Sequence, residues 1–236
     1  MFKKAFTLAE VLITLTIIGI VASLTMPGVI NNYQSKVSVA QLQKVYNLVE
    51  NAVAQAMLDD EEDLFSNTSY YSDSFSFLAK YFKTSVICAT SSESTNMDNC
   101  MASKYKSPDK TVEFSSTWML TGELLSEGEV NLQGIVCAAL DTGATICKKN
   151  GQFIVDVNGV ASPNTIGRDL FWFGMVDPSS NENYFGPYSS KMHPSDDDYG
   201  ALLWAARGEY CRGNITGVRE SACMQSIITN GWKMRN

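Results

Sequence analysis

The sequence predicts an α+β protein in which a long N-terminal helix, membrane-spanning and then amphipathic, packs on a small antiparallel β-sheet domain. Three observations predict it. No charged residue occurs from Val11 to Ser35, and the run is strongly apolar to Met26. Beyond Pro27, apolar residues recur at three- and four-residue steps to about residue 58, with polar residues on the opposite side. After Gly134, short β-branched and aromatic runs alternate with turn residues.

The first element is the apolar run. A helix needs about 20 residues to cross a bilayer, which the uncharged stretch supplies. Lys3 and Lys4 precede it as in a secretory signal, but the run is longer than a signal h-region and no small-x-small cleavage site follows it promptly. Pro27 is expected to loosen or kink the helix near residue 23, where its ring meets the preceding turn. The second half presents Tyr33, Val37, Ala40, Leu42, Val45, Val49, Ala52, Val53, Ala56 and Met57 on its apolar side, and Lys36, Gln41, Lys44, Asn47 and Glu50 on its polar side. The run Asp59-Asp60-Glu61-Glu62-Asp63 sits at the negative end of the helix dipole, where acidic side chains are unfavourable, so the helix is expected to stop there.

In the remainder, Phe75, Leu78, Ala79 and Phe82 have the spacing of a short helix. Ile135–Leu140, Thr145–Cys147, Gln152–Val157 and Leu170–Val176 read as an antiparallel meander packed on the amphipathic helix. The stretch from Phe185 is rich in Gly, Pro, Ser and Asp and reads as exposed loop, and Ile227–Lys233 reads as a returning edge strand.

The six cysteines, Cys88, Cys100, Cys137, Cys147, Cys211 and Cys223, contain no CxxC, and His193 is the sole histidine, which argues against an ordinary zinc site. Disulfides in an oxidising compartment are the favoured reading. Six cysteines allow 15 connectivities, and the local one, 88–100, 137–147 and 211–223, is preferred, each bridge contributing about 2–4 kcal/mol. The net charge of −7 argues against a nucleic-acid partner.

Catalytic patterns are thin. Asp141-Thr142-Gly143-Ala144 matches the tetrapeptide of retropepsin-type aspartic proteases, but no second DTG or DSG triplet occurs, and Asp-Thr-Gly is ordinary turn chemistry. His193 has no partner nucleophile and reads as a solvated loop residue. No catalytic residues are expected.

One feature of the N-terminus is unusual: a single carboxylate, Glu10, borders the membrane-length run. Lys-Lys-Ala-Phe-Thr-Leu-Ala-Glu-Val-Leu, followed by an apolar run ending near a proline, resembles the N-terminus of type IV pilins and type II secretion pseudopilins. The resemblance implies a leader, residues 1–5, cut between Ala5 and Phe6, methylation of Phe6, and an assembly role for Glu10. Ala5 stands where the family normally has Gly. The resemblance also implies a helix over 6–58 that spans the membrane to about residue 27, and a disulfide-stapled pilin-like domain over 59–236. It implies a single-pass protein of the bacterial inner membrane, its domain in the periplasm or carried outside on a filament. Its partners would be copies of itself, other pilin-like subunits, membrane lipid, a prepilin peptidase and an inner-membrane assembly platform. A charge at such a position is explicable if a neighbour's N-terminal amine pairs with Glu10 and pins helices that would otherwise slide. The alternatives are a membrane-anchored binding or adhesion module of the minor-pilin kind, and a periplasmic enzyme on an anchor.

The segment Asp156-Val-Asn158-Gly159…Pro163-Asn164…Gly167-Arg-Asp169-Leu-Phe171 resembles a loop in the C-terminal region of many pseudopilin-like proteins. Asp156, Asn158, Asn164 and Asp169 supply hard oxygen donors that suit Ca²⁺ in composition, and related major pseudopilins bind calcium in such loops. The other reading is a rigid connection in which these side chains cap backbone amides.

Overall fold

The computed structural model describes residues 7–89, 97–107, 110, 113–115, 135–176, 184–187 and 220–234. Helix α1 (Leu8–Asp59) is followed by a 3₁₀ turn (Phe65–Asn67), α2 (Ser69–Ser72) and α3 (Ser74–Tyr81). Then come β1 (Thr84–Ala89), β2 (Lys104–Lys106), β3 (Glu113–Ser115), β4 (Val136–Leu140), β5 (Thr145–Lys149), β6 (Gln152–Asp156), β7 (Leu170–Val176), β8 (Tyr184–Gly186) and α4 (Glu220–Thr229). Six strands form one antiparallel sheet in the order β1-β4-β5-β6-β7-β8, and β2 pairs with β3 separately. The protein is thus α+β, with the expected long helix and antiparallel sheet.

Helix α1 runs unbroken through Pro27. Just before the proline, the Thr25 hydroxyl donates to the Val21 carbonyl at 2.9 Å and the Ser23 hydroxyl to Ile20 at 2.8 Å, in the turn that precedes the Ser23 carbonyl left without its donor by Pro27. Its buried side chains begin at Ser38 and Val39 and continue through Leu42, Val45, Val49, Ala52, Val53 and Ala56. Tyr33 and Val37, which share the apolar periodicity, lie outside the contact because the helix leaves the domain below residue 38, whereas Ala40 lies within the covered stretch but on its exposed side. The acidic residues at the helix end find partners. Asp59 pairs with Lys80 at 2.6 Å and accepts from Gln55 and Tyr81, which holds its carboxyl well down, at about 2. Asp60 accepts from the backbone and hydroxyl of Ser69.

The sheet is buried on both faces, which is why its strands read as nearly continuous apolar runs. Val136, Ala138, Ile146, Phe153, Val155, Phe171 and Phe173 pack under α1 and α3. The alternating residues Cys137, Cys147, Ile154, Leu170 and Trp172 pack with Met97, Met101 and Tyr105 on the other face. Cys137 and Cys147 are direct cross-strand partners and are disulfide-bonded, as are Cys88 and Cys100. Cys223 is disulfide-bonded, while Cys211 and His193 lie outside the described residues.

Two sequence expectations are corrected. The segment expected as an edge strand is the end of α4 and its cap. Gly231 (φ 67°) donates to Ile228 at 3.0 Å and Trp232 to Ile227 at 2.9 Å, a Schellman arrangement. Met224 and Ile227 are buried at helical spacing, so packing selects helix over the β-branched propensity of Ile-Ile-Thr. Phe185, expected in exposed loop, lies on β8, its ring 4.9 Å from that of Tyr46, whose hydroxyl donates to the Phe185 carbonyl.

Lys148 is fully buried, and among the described residues no carboxylate lies within hydrogen-bond reach of it. Its Nζ donates to the carbonyls of Tyr70 (2.8 Å) and Tyr71 (2.9 Å) and faces the rings of Phe65 and Phe77, tying the 65–81 segment to β5. Burial pushes its ammonium down to about 7, against the pull of Asp73. The unfolded chain therefore holds a proton that the folded chain releases between about pH 7 and 10.5. This contribution to stability is complete above the unfolded value and is lost as pH falls through 7. Melting temperature is expected to rise from pH 7 to 9.5 in the wild type more steeply than in Lys148→Met; parallel profiles would contradict the assignment.

Candidate functional site

The head of α1 is built by local chemistry. Thr7, in extended conformation, is the N-cap, and its hydroxyl accepts from the Glu10 backbone amide at 3.3 Å. Glu10 reaches back, its Oε2 accepting from the Thr7 amide (2.9 Å) and the Thr7 hydroxyl (2.8 Å). This is a capping box, and its signal is in the sequence: a Thr followed three residues later by a Glu, just before an apolar run. The carboxylate also lies at the positive end of the helix dipole. A single chain thus satisfies Glu10 with its own Thr7 amide and hydroxyl, a role beyond the intersubunit pairing suggested by the resemblance. Ala5 and Phe6 lie outside the described residues.

Above Glu10 the helix is bare. Leu12, Ile13, Leu15, Ile17, Ile18, Ile20, Val21 and Leu24 are exposed on every side, with none of the described residues of the domain covering them. An all-round apolar surface cannot be a solvated face, and α1 is the one helix among the described residues long and apolar enough to cross a membrane.

The connection from β6 to β7 is the second candidate site. Asp156 ends β6 in full burial. Its Oδ2 accepts from the Tyr105 hydroxyl at 2.5 Å and its Oδ1 from the Asn158 amide at 3.1 Å. Asp169 Oδ2 accepts from the Thr165 amide at 3.0 Å, and the Asp169 carbonyl accepts from Val157. Burial raises both carboxyls, Asp156 to about 7 against its two donors and Asp169 to about 6. Asn158 Nδ2 donates to the Ala161 carbonyl. Two glycines let the loop dock closely. A Cβ on Gly159 (φ 60°) would meet the Gly143 carbonyl oxygen at 2.7 Å, and one on Gly167 (φ 73°) would meet Cys223 Sγ at 2.5 Å. Backbone bonds join the loop to Lys106, and Arg168 donates to Gln34 of α1 at 2.5 Å.

Both carboxylates are therefore engaged inside the protein, as the rigid-connection reading expects. The side-chain oxygens of Asn158 and Asn164 differ: they are buried without a hydrogen-bond partner among the described residues, two hard donors of the kind a cation takes. Tyr105, remote in sequence, carried no signal as the partner of Asp156; their separation of 51 residues is bridged only by the fold.

The DTGA segment is the tip of the β4–β5 hairpin. Gly143 (φ 87°) donates to Leu140, Leu140 donates to Ala144, and the exposed Asp141 pairs with Lys83 at 2.7 Å. This is turn chemistry rather than a buried, proton-sharing aspartate pair.

Residues 1–26 match the prokaryotic N-terminal methylation motif. The match gives the chain a prepilin-type N-terminus, consistent with a type IV pilin- or pseudopilin-like protein, a structural rather than an enzymatic class. No curated protein and no solved structure matches the chain.

Proposed function

We propose that the protein is a structural subunit of a type IV pilus or a type II secretion-type pseudopilus, anchored in the inner membrane by α1 and polymerising through it. The observation that carries this reading is the coincidence of the methylation motif with a bare apolar half-helix that starts at Glu10. A prepilin peptidase would cut after Ala5, leaving a cationic amine at Phe6. In the monomer, the Thr7 capping box keeps Glu10 hydrogen-bonded within the membrane. On assembly, Glu10 would accept the amine of a neighbour displaced along the bundle through Oε1, the oxygen that accepts no hydrogen bond among the described residues. The globular domain, reading as residues 59–236, would face the periplasm or the filament surface. An assembly platform and other pilin-like subunits are the partners this implies.

The test is the intact mass of protein extracted from its membrane, with and without reduction. The expected chain begins at Phe6, is heavier by one methyl group, and gains six hydrogens on reduction of three disulfides. A chain cut after residue 22, or an uncut chain, would overturn the reading.

The unpartnered oxygens of Asn158 and Asn164 favour one addition, calcium as a ligand of the 156–169 loop, with Asp156 and Asp169 supplying charge. Calorimetry is expected to detect Ca²⁺ binding that weakens in Asn158→Ala and strengthens from pH 5.5 to 7.5 as the raised carboxyls ionise. Absence of heat with millimolar calcium, together with an unchanged melting temperature, would remove calcium from the account.

A further inference from the structure

Where α1 leaves the domain, a groove of about 400 Å³ opens between the helix and the turn that follows α4. Ser35, Lys36 and Val39 form one wall, and Trp232, Lys233 and Met234 the other. We propose that this groove binds the phosphate of an anionic phospholipid headgroup while the subunit resides in the membrane. The proposal rests on the membrane-anchored reading above.

Charge is the first argument. The chain as a whole is acidic, at −7, yet among the described residues the charged ones lining the groove are two lysines, with no carboxylate among them. Both lysines are exposed, and neither forms an ion pair among the described residues. Four other exposed lysines, Lys80, Lys83, Lys104 and Lys106, are each within 4 Å of a carboxylate, whereas Lys44 and Lys110 form no ion pair among the described residues either.

Depth is the second. No charged residue lies between Glu10 and Lys36, an axial distance of about 39 Å at 1.5 Å per residue. The hydrocarbon core is about 30 Å thick, and about 40–45 Å with its headgroup layers. With Glu10 at one edge of the core, Lys36 falls about 9 Å beyond the other, just outside a headgroup layer about 5–7.5 Å deep, from where its side chain reaches back to lipid phosphates. Tyr33, exposed one turn nearer the core, and the half-buried Trp232 are the aromatic residues expected at that boundary.

Preorganisation is the third. Lys233 directly follows the Schellman cap, and its carbonyl accepts from the Asn230 side chain at 3.1 Å. The Trp232 ring is fixed 5.5 Å from that of Tyr46. The backbone carrying the second lysine is therefore held in place opposite α1, and two ammonium groups can share one phosphate. Such attraction between juxtamembrane cations and anionic headgroups is general, and it falls off with salt.

The experiment uses the full processed chain in two steps. First, flotation with phosphatidylcholine vesicles reports insertion; failure to float would overturn the membrane reading and this proposal with it. Second, the protein is placed in nanodiscs of mixed phosphatidylcholine and phosphatidylglycerol, and native mass spectra record the lipid that stays bound on release. The expected result is several-fold preferential retention of phosphatidylglycerol, lost in Lys36→Gln/Lys233→Gln and kept in Lys104→Gln/Lys106→Gln. Raised salt during release should reduce the retention. Equal retention by the groove variant, no preference over phosphatidylcholine, or a lipid-free dimer in which a second copy covers the groove would each overturn the proposal while leaving the anchored subunit intact.

Discussion

Protein carrying Glu10→Leu is expected to be cut and methylated, to stay in the membrane, and to be absent from filaments. The substitution removes the only charge between Lys4 and Lys36 and makes the apolar segment longer, so insertion cannot suffer. It also removes the carboxylate that would meet a neighbour's amine, and breaking one side of a desolvated ion pair costs about 3–5 kcal/mol. Across a filament that cost recurs at every subunit. The capping box complicates the leucine variant, because Glu10 also holds the Thr7 amide and hydroxyl, and losing such a cap costs about 0.5–2 kcal/mol of helix stability. Glu10→Gln separates the two roles: glutamine serves a capping box as well as glutamate does but carries no charge. The expected result is that glutamine also fails to assemble. Normal filaments from the glutamine variant would make capping, not charge, the function of this position, and normal filaments from leucine would remove both.

The second large effect is expected in the domain. Phe153 is fully buried at the centre of the sheet, its ring 5.8 Å from Phe77, 6.1 Å from Phe173 and 6.2 Å from Phe185. It joins α3, β7 and β8 through a single side chain. Phe153→Ala should cost about 3–5 kcal/mol through lost burial and the cavity left behind. For a domain of this size that lowers the melting temperature by about 6–20 °C. Phe75 offers the internal comparison. It is 53% exposed on α3, and Phe75→Ala should change stability by no more than about 0.5 kcal/mol. Thermal unfolding of the two variants beside wild type tests the assignment, and equal small effects would mean that the aromatic cluster is not the core. Membrane fractionation should be unaffected in both, since neither touches the bare half of α1.

The parts of the molecule that were legible share one property: their signals are local. The membrane-length run, the change to one-sided periodicity after Pro27, the stop at the acidic run, and the strands from Ile135 to Val176 all follow from neighbours a few residues apart. The capping box is equally local, its signal carried whole by Thr7-Leu8-Ala9-Glu10. Misread segments are those where a distant surface decided the outcome. Ile227-Ile228-Thr229 has the propensity of a strand and becomes helix because Cys223, Met224 and Ile227 find the core at helical spacing. Phe185 sits in a polar stretch and is drawn onto the sheet edge by Tyr46 of α1.

The sequence by itself determined the membrane-length run, the prepilin-type head with Glu10 and the α+β class, and it favoured, among fifteen pairings, the two described disulfides joining cysteines close along the chain. Only the tertiary structure decided how far α1 is covered, which leaves Tyr33 and Val37 outside the domain although they continue its apolar face. It alone buried Lys148 between two carbonyls and two rings, brought Tyr105 to Asp156, and set Lys233 across a groove from Lys36. The physical reason is the same in each case. Helix and turn signals depend on periodicity and backbone conformation along the chain, whereas burial and charge pairing depend on which surfaces meet after the chain has closed.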